Sequence, residues 1–312
     1  MVHAMLFAAV PGWMQPLWMI PAGVIAALAV MAAVYGVLLV TLPKVAAIAR
    51  TTAHEGLAQL LFLVELVVGV LLSLMFAVMP YGTFGDDVKM MKETSLELLV
   101  VLASLFGVWT ASVSIAEELE GKTALTLLSK PVNRWQFVLG KFIGVLTPVA
   151  LLFIALGAML LFTVSFKVVY EAIIPLSAAD AAKQCADEML LLLPALLLSF
   201  FKTIVLTSIA VALSTRLTMM SNLLVCFAIY VLGHLVPLLV QSPKSQNSIV
   251  SFVGQLLATV LPVLDHFNVN AAIAMGNTVP VDYIAWAAGY ALLYSTIAML
   301  LALLLFEERD LG

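Results

Sequence analysis

About seven stretches of this chain run for some 20 residues with almost no charge, at residues 17–42, 60–79, 96–115, 142–166, 190–213, 222–240 and 283–306. An α-helix needs about 20 apolar residues to cross a hydrocarbon core roughly 30 Å thick, so each stretch predicts a membrane span. Lipid offers the backbone no hydrogen-bond partners, which leaves helices or a closed barrel. The ten-residue alternating strands of a barrel are missing from the sequence. The expected fold is therefore an all-α integral membrane protein, a polytopic bundle of about seven transmembrane helices. Composition agrees: 64% of the residues are hydrophobic and 10% charged, whereas about a quarter of a soluble domain is charged.

Basic residues set the expected orientation. With the segment between the third and fourth spans inside, Lys44, Arg50, Lys122, Lys130, Arg134, Lys141, Arg216 and Arg309 lie inside, and Lys89, Lys92, Lys167, Lys183 and Lys244 outside. Every arginine is then inside, which places the amino terminus outside and the carboxyl terminus inside. No Lys or Arg precedes Lys44, so the first apolar run lacks the basic start of a cleaved signal and reads as a retained span. The division expected is an N-terminal span with an inner-surface helix (residues 1–58) and a six-span core (residues 59–312). Segment 44–59, "KVAAIARTTAHEGLAQ", suits a helix on the inner membrane surface or a plain linker. Two outer segments, 167–189 and 241–282, are long for connections in a bundle. The first carries a helix start at Ser177 and Asp180, and the second an apolar run before Pro262 too short to span, fit to dip into the membrane.

The inner loop 116–141 contains "EGKT", the ending of a nucleotide-binding P-loop. Such a loop needs a glycine five positions before its GK glycine, because its backbone N–H groups wrap the phosphates between two tight turns. Ala116 stands there, after an apolar span rather than a buried strand, so GKT is read as a decoy. Glu117, Glu118 and Glu120 stand at the end of a span. "TALTLLSK" then offers Leu125, Leu127 and Leu128 as a small apolar face that Pro131 stops. Acidic residues at its start and Lys130 at its end complement a helix dipole. Arg134, Trp135 and Lys141 follow as interface anchors. Simple flanking of membrane helices explains the same residues equally well.

Polar residues inside spans are the clue to cargo. Lys202 lies about twelve residues from either end of its span. A central Lys costs about 2.5–3.5 kcal/mol on insertion scales. The fifteen Leu, Ile, Phe and Val residues around it return about 0.3–0.6 kcal/mol each, so the span still inserts. Glu65 is a candidate partner for Lys202, and His234 a second candidate lining residue; snorkelling or structural packing is the competing reading for all three. Other chemistries fail on spacing. "HEGLA" at His54 has Ala58 where a zinc protease needs its second histidine. The aspartates Asp86, Asp87, Asp265 and Asp282 map outside the spans, so no intramembrane aspartyl pair forms. The two cysteines, Cys185 and Cys226, suggest neither a metal site nor a disulfide. A net charge of −4 with scattered basic residues argues against nucleic acid.

The stretch "EELEGKTALTLLSKPVNRWQFVLGKFIG" resembles the signature loop of type 2 ABC-transporter permeases, as the close "LLLFEERDLG" and the run "LPVLDHFN" resemble other parts of that family. Lys122 departs from the pattern by separating Gly121 from Thr123, and the first apolar run departs from relatives with six spans. The resemblance implies a permease subunit in the cell's inner membrane, in contact with lipid, with no catalytic residue or cofactor of its own. A separate cytoplasmic ABC ATPase would use ATP and Mg, and a second permease copy or paralogue would complete a homo- or heterodimer. The resemblance makes the helix after Gly121 a coupling helix, with Glu117, Glu118, Glu120, Gly121, Thr123, Leu125, Leu128, Pro131 and Arg134 meeting the ATPase. Export is the implied task. A membrane assembly or maturation factor, like permeases associated with copper-enzyme maturation, and an ion-coupled secondary transporter are the alternatives.

Overall fold

A computed structural model describes residues 12–82, 87–120, 133–171, 177–241 and 261–307, without the side chains of residues 116–120, 236–241, 271, 274 and 307. Every regular element among them is helical. A 3₁₀ turn (Gly12–Trp18) leads into α1 (Met19–Thr41), then come α2 (Pro43–Ala58), α3 (Leu60–Val78), α4 (Asp87–Glu120), α5 (Arg134–Tyr170), α6 (Ala178–Ser214) and α7 (Met219–Gln241). A short 3₁₀ turn (Leu264–Phe267), α8 (Asn270–Ala274) and α9 (Val281–Glu307) complete the chain. Six helices, counting the first turn with α1, are long and apolar enough to cross a membrane; the described apolar part of α7 covers Met219–Leu235.

Three helices outgrow the bilayer. α4 has 34 residues and α5 and α6 have 37 each, or about 50–55 Å at 1.5 Å per residue, against a hydrocarbon core of about 30 Å. Residues 167–189, expected as a connection, are thus largely helix: α5 continues to Tyr170 and α6 begins at Ala178. Ser177 caps that start, its hydroxyl accepting from the Asp180 N–H at 3.2 Å. At the opposite end, Asn133 and Gln136 form a reciprocal capping box that opens α5. The end of the bundle that carries the loop between α4 and α5 is called the loop end below, and the other the far end.

α5 and α6 are the central packing elements. Near the loop end Phe106, Val145, Val149, Leu152 and Val211 share one core; near the far end Met91, Leu160, Val164, Met189 and Leu192 share another. Two lysines near the far end are buried and paired. Lys92 of α4 meets Glu188 of α6 at 2.6 Å. Lys167, fully buried, meets Glu171 at 2.6 Å and donates to the Met79 carbonyl at 2.9 Å, with the Tyr81 and Tyr170 rings beside its ammonium. Both cysteines are buried and free, Cys185 within α6 and Cys226 within α7.

The helix expected at residues 44–59 is α2, and its inner stripe of Val45, Ala46, Ala49, Thr52, Ala53 and Gly56 is buried. It lies against α5 so closely that a Cβ on Gly144 would stand 2.6 Å from Thr52 Cβ and 2.9 Å from the Ala49 carbonyl oxygen. Small facing residues let two backbones approach where lipid gives no hydrophobic drive for helix association. The outer face of α2 keeps Lys44, Arg50, His54 and Glu55 exposed. α1, by contrast, buries no residue and is tied to α5 by a 2.8 Å hydrogen bond between Tyr35 and Thr147. A helix apolar on every side and buried on none fits a lipid surrounding.

Candidate functional site

Two regions carry the residues singled out from the sequence. At the loop end, α4 stays helical through Glu120, so Glu117, Glu118 and Glu120 occupy its last turn, and Ala116 lies within the same helix. Gly121, Thr123, Leu125, Leu128 and Pro131 lie outside the described residues. Arg134 opens α5 and sets its guanidinium 6.0 Å from the centre of the Phe306 ring near the end of α9. Phe306 stacks on Phe137 from α5, with ring centres 5.7 Å apart and planes 22° from parallel. Arg216, just past α6, donates from Nε to the Leu305 carbonyl at 2.8 Å. A cation placed at the C-terminus of a helix satisfies an orphan carbonyl and complements the dipole.

Deeper in the bundle, several side chains converge on one carboxylate that the sequence reading did not select. Lys202 of α6 lies 3.5 Å from Glu97 Oε2, and its partner is therefore Glu97 of α4, not Glu65. The Tyr230 hydroxyl of α7 donates to the same oxygen at 3.4 Å, and Asn270 Nδ2 of α8 donates to Oε1 at 3.0 Å. The Lys202 ammonium also sits 5.6 Å from the centre of the Tyr230 ring. The pair is lopsided: the Lys202 side chain is 2% exposed and that of Glu97 36%. The carboxylate thus reaches the surface of the bundle while its cation is enclosed. A buried cation with no partner costs several kcal/mol, and Glu97 offsets that cost for Lys202.

His234 extends the network along α7. Its Nδ1 is 2.7 Å from the Tyr230 carbonyl, and its ring lies 4.6 Å from that of Tyr230. A carbonyl accepts only, so Nδ1 carries a proton and Nε2 of a neutral ring is an acceptor. That Nε2 is buried with no hydrogen-bond partner among the described residues. Glu97, Lys202, Tyr230, His234 and Asn270 together set a cation, an anion, a hydroxyl, an amide and an open acceptor within one region of the bundle. Among the described residues, no group of three His, Cys, Asp or Glu side chains could hold a metal ion.

Glu65 stands apart from this network. It belongs to the buried stripe Glu65, Gly69, Ser73 and Ala77 of α3, and α3 packs on α4 and α5, not on α6 where Lys202 resides. Both carboxyl oxygens are buried without a hydrogen-bond partner among the described residues. Removing an unsatisfied buried polar group relieves a desolvation penalty of about 1–3 kcal/mol. Glu65→Leu is accordingly expected to raise the unfolding free energy by about that amount in mixed micelles, whereas Glu65→Gln, which keeps two polar atoms there, leaves it nearly unchanged.

Of the outer segment 241–282, expected to dip into the membrane, the apolar run before Pro262 lies almost entirely outside the described residues; residues 261–277, which follow it, pack back against the bundle. Leu264 and Phe267 are buried with Leu198 and Leu206 of α6 and Ala287 and Ala291 of α9. The fit against α7 is close, because a Cβ on Gly233 would meet Leu264 Cδ1 at 2.9 Å. This fold-back is what brings Asn270 to Glu97.

Comparison with individual curated proteins finds no match. The family model described as ABC-2 family transporter protein, however, matches residues 71–311, a stretch that begins in α3 and takes in the loop, the Glu97 network and α9. With most of its length matched and a bundle of long apolar helices, the chain belongs to the ABC-2 transporter family, as a multi-pass membrane permease subunit of the kind that works with a partner ATPase.

Proposed function

We propose that this permease exports its cargo from the cytoplasm through the inner membrane, driven by a separate ABC ATPase seated on the loop between α4 and α5. The observation that carries this reading is mechanical. The loop joins two of the longest helices, and α4 and α5 both pack against α6 and share the core that contains Phe106 and Val149. A push on the loop therefore acts on the centre of the bundle, not on a peripheral element. Leu125 and Leu128 are the apolar anchors of a coupling helix in the ATPase groove, and Glu117, Glu118, Glu120 and Arg134 orient it. Gly121, Thr123 and Pro131 bound that helix.

Within the bundle, Lys202 and His234, together with Glu97, line the route and meet polar groups of the cargo. Glu65 is not used in this scheme. ATP and Mg are consumed in the partner, and two permeases with two ATPases form the working unit, with each amino terminus outside and each carboxyl terminus in the cytoplasm. Orientation is the most direct test. Because Cys185 and Cys226 are buried, a Thr123→Cys variant offers a new accessible thiol. A membrane-impermeant maleimide is expected to label it in inverted vesicles and not in intact cells. Labelling from outside intact cells overturns the proposal.

A further inference from the structure

The aromatic residue near the carboxyl end, conspicuous in "LLLFEERDLG", has no role in the scheme above, and its surroundings give it one. Phe306 is 1% exposed. It is enclosed by Phe137 and Arg134 of α5, the helix that leaves the loop, while the carbonyl of neighbouring Leu305 is held by Arg216. The other half of α9 grips the segment that folds back into the bundle. The Tyr290 hydroxyl accepts from the Val263 N–H at 3.1 Å, the Tyr283 hydroxyl donates to the His266 carbonyl at 2.6 Å, and the Tyr290 ring packs on Phe267 with centres 5.8 Å apart. Side chains from α9 thus satisfy backbone groups of a segment whose own regular structure is one 3₁₀ turn and the five-residue α8.

From Tyr290 to Phe306 the helix runs about 24 Å, and from Tyr283 about 35 Å, at 1.5 Å per residue. α9 is one unbroken helix of 27 residues without an internal proline. A helix of that kind moves nearly as a unit, because sharp kinks arise almost always at a proline, a Gly/Ser pair, a π-bulge or an inserted group. We infer that Phe306 is a positioning residue that couples the loop end of α5 to the fold-back segment 261–277, with α9 as the rigid link between them. The inference rests on the reading that force enters at the loop. It adds where that force goes: into the segment whose Asn270 holds Glu97. A change at the loop end shifts the balance between held and released forms of residues 261–277, and thereby the Glu97 network.

Thermodynamic coupling is reciprocal and is typically worth about 5–150-fold in an equilibrium constant. Hydrogen–deuterium exchange on the purified full chain in nanodiscs reads it without ATPase or cargo. Phe306→Ala is expected to speed exchange about fivefold or more in residues 261–277 as well as at residues 133–141. Phe306→Tyr restores protection at both places. Leu292→Ala, an exposed position on the same helix, leaves both unchanged. Faster exchange at 133–141 alone, or an equal remote effect from Leu292→Ala, overturns the inference. Should Phe306→Ala loosen the whole chain, Tyr290→Phe decides. It removes the Val263 acceptor while keeping the ring, and reciprocity requires faster exchange at 133–141; no change there overturns the inference. A failed Thr123→Cys orientation test, by contrast, removes the proposed driving force and leaves this linkage intact.

Discussion

Glu97→Leu is expected to lower the unfolding free energy by about 3 kcal/mol and Lys202→Leu by no more than about half of that, because breaking a buried ion pair is most costly when the charge left behind cannot reach water. The asymmetry follows from the geometry. Without Glu97, the Lys202 ammonium is left at 2% exposure with an aromatic face as a neighbour. Without Lys202, the carboxylate retains Asn270, Tyr230 and its place at the surface of the bundle. The double variant Glu97→Leu, Lys202→Leu is then expected to be no less stable than Lys202→Leu alone, since replacing both charges by apolar groups is often neutral or stabilising. A double-mutant cycle by chemical unfolding in mixed micelles measures this directly, and additive losses would remove the pair from the account. Transport separates function from stability: if the network meets cargo, the double variant regains stability but not transport.

How much of this was legible in the sequence depends on the kind of fact. Six of the seven expected spans were, because the bilayer fixes a length and lipid forbids unpaired backbone. Helix ends were not, since an apolar window stops where charge begins while the helix continues. Thus α4 starts at Asp87, nine residues before the expected span, and α6 starts at Ala178, twelve before. This is how Glu97 escaped notice: it stands one residue inside the window's edge, where the sequence does not show the helix continuing outward. Lys202 was found because its depth follows from counting along one helix. Its partner was misassigned to Glu65 because depth says nothing about which helices are neighbours, and α3 lies against α4 and α5. The small-residue face of α2 was written in Ala46, Ala49, Ala53 and Gly56, but the matching glycines of α5 acquire meaning only once the two helices are in contact. The attachment of residues 261–277 through tyrosine hydroxyls of α9 was not legible, because no local spacing pairs a tyrosine with a distant backbone group.

The second large effect concerns the loop. Leu125→Asp with Leu128→Asp is expected to weaken retention of the ATPase by the detergent-solubilised permease about a thousandfold. Apolar anchors seated in a partner's pocket each contribute about 2 kcal/mol or more when truncated, and about 4 kcal/mol together corresponds to nearly three decades in affinity. Introducing a carboxylate at each site adds a desolvation cost to the lost burial. Glu117→Gln, Glu118→Gln and Glu120→Gln in combination are expected to act differently. Charges at an interface rim set orientation and on-rate, and exposed ion pairs are worth about 0–1 kcal/mol each, so retention should fall by roughly tenfold and lose much of its salt dependence. Titrating the purified ATPase onto permease in nanodiscs at two ionic strengths separates the two classes of residue. Unfolding of each variant in parallel guards against a trivial loss. If the leucine pair binds as well as the parent while the glutamate triple does not, the anchor is electrostatic, and the coupling helix has been assigned to the wrong face of the loop.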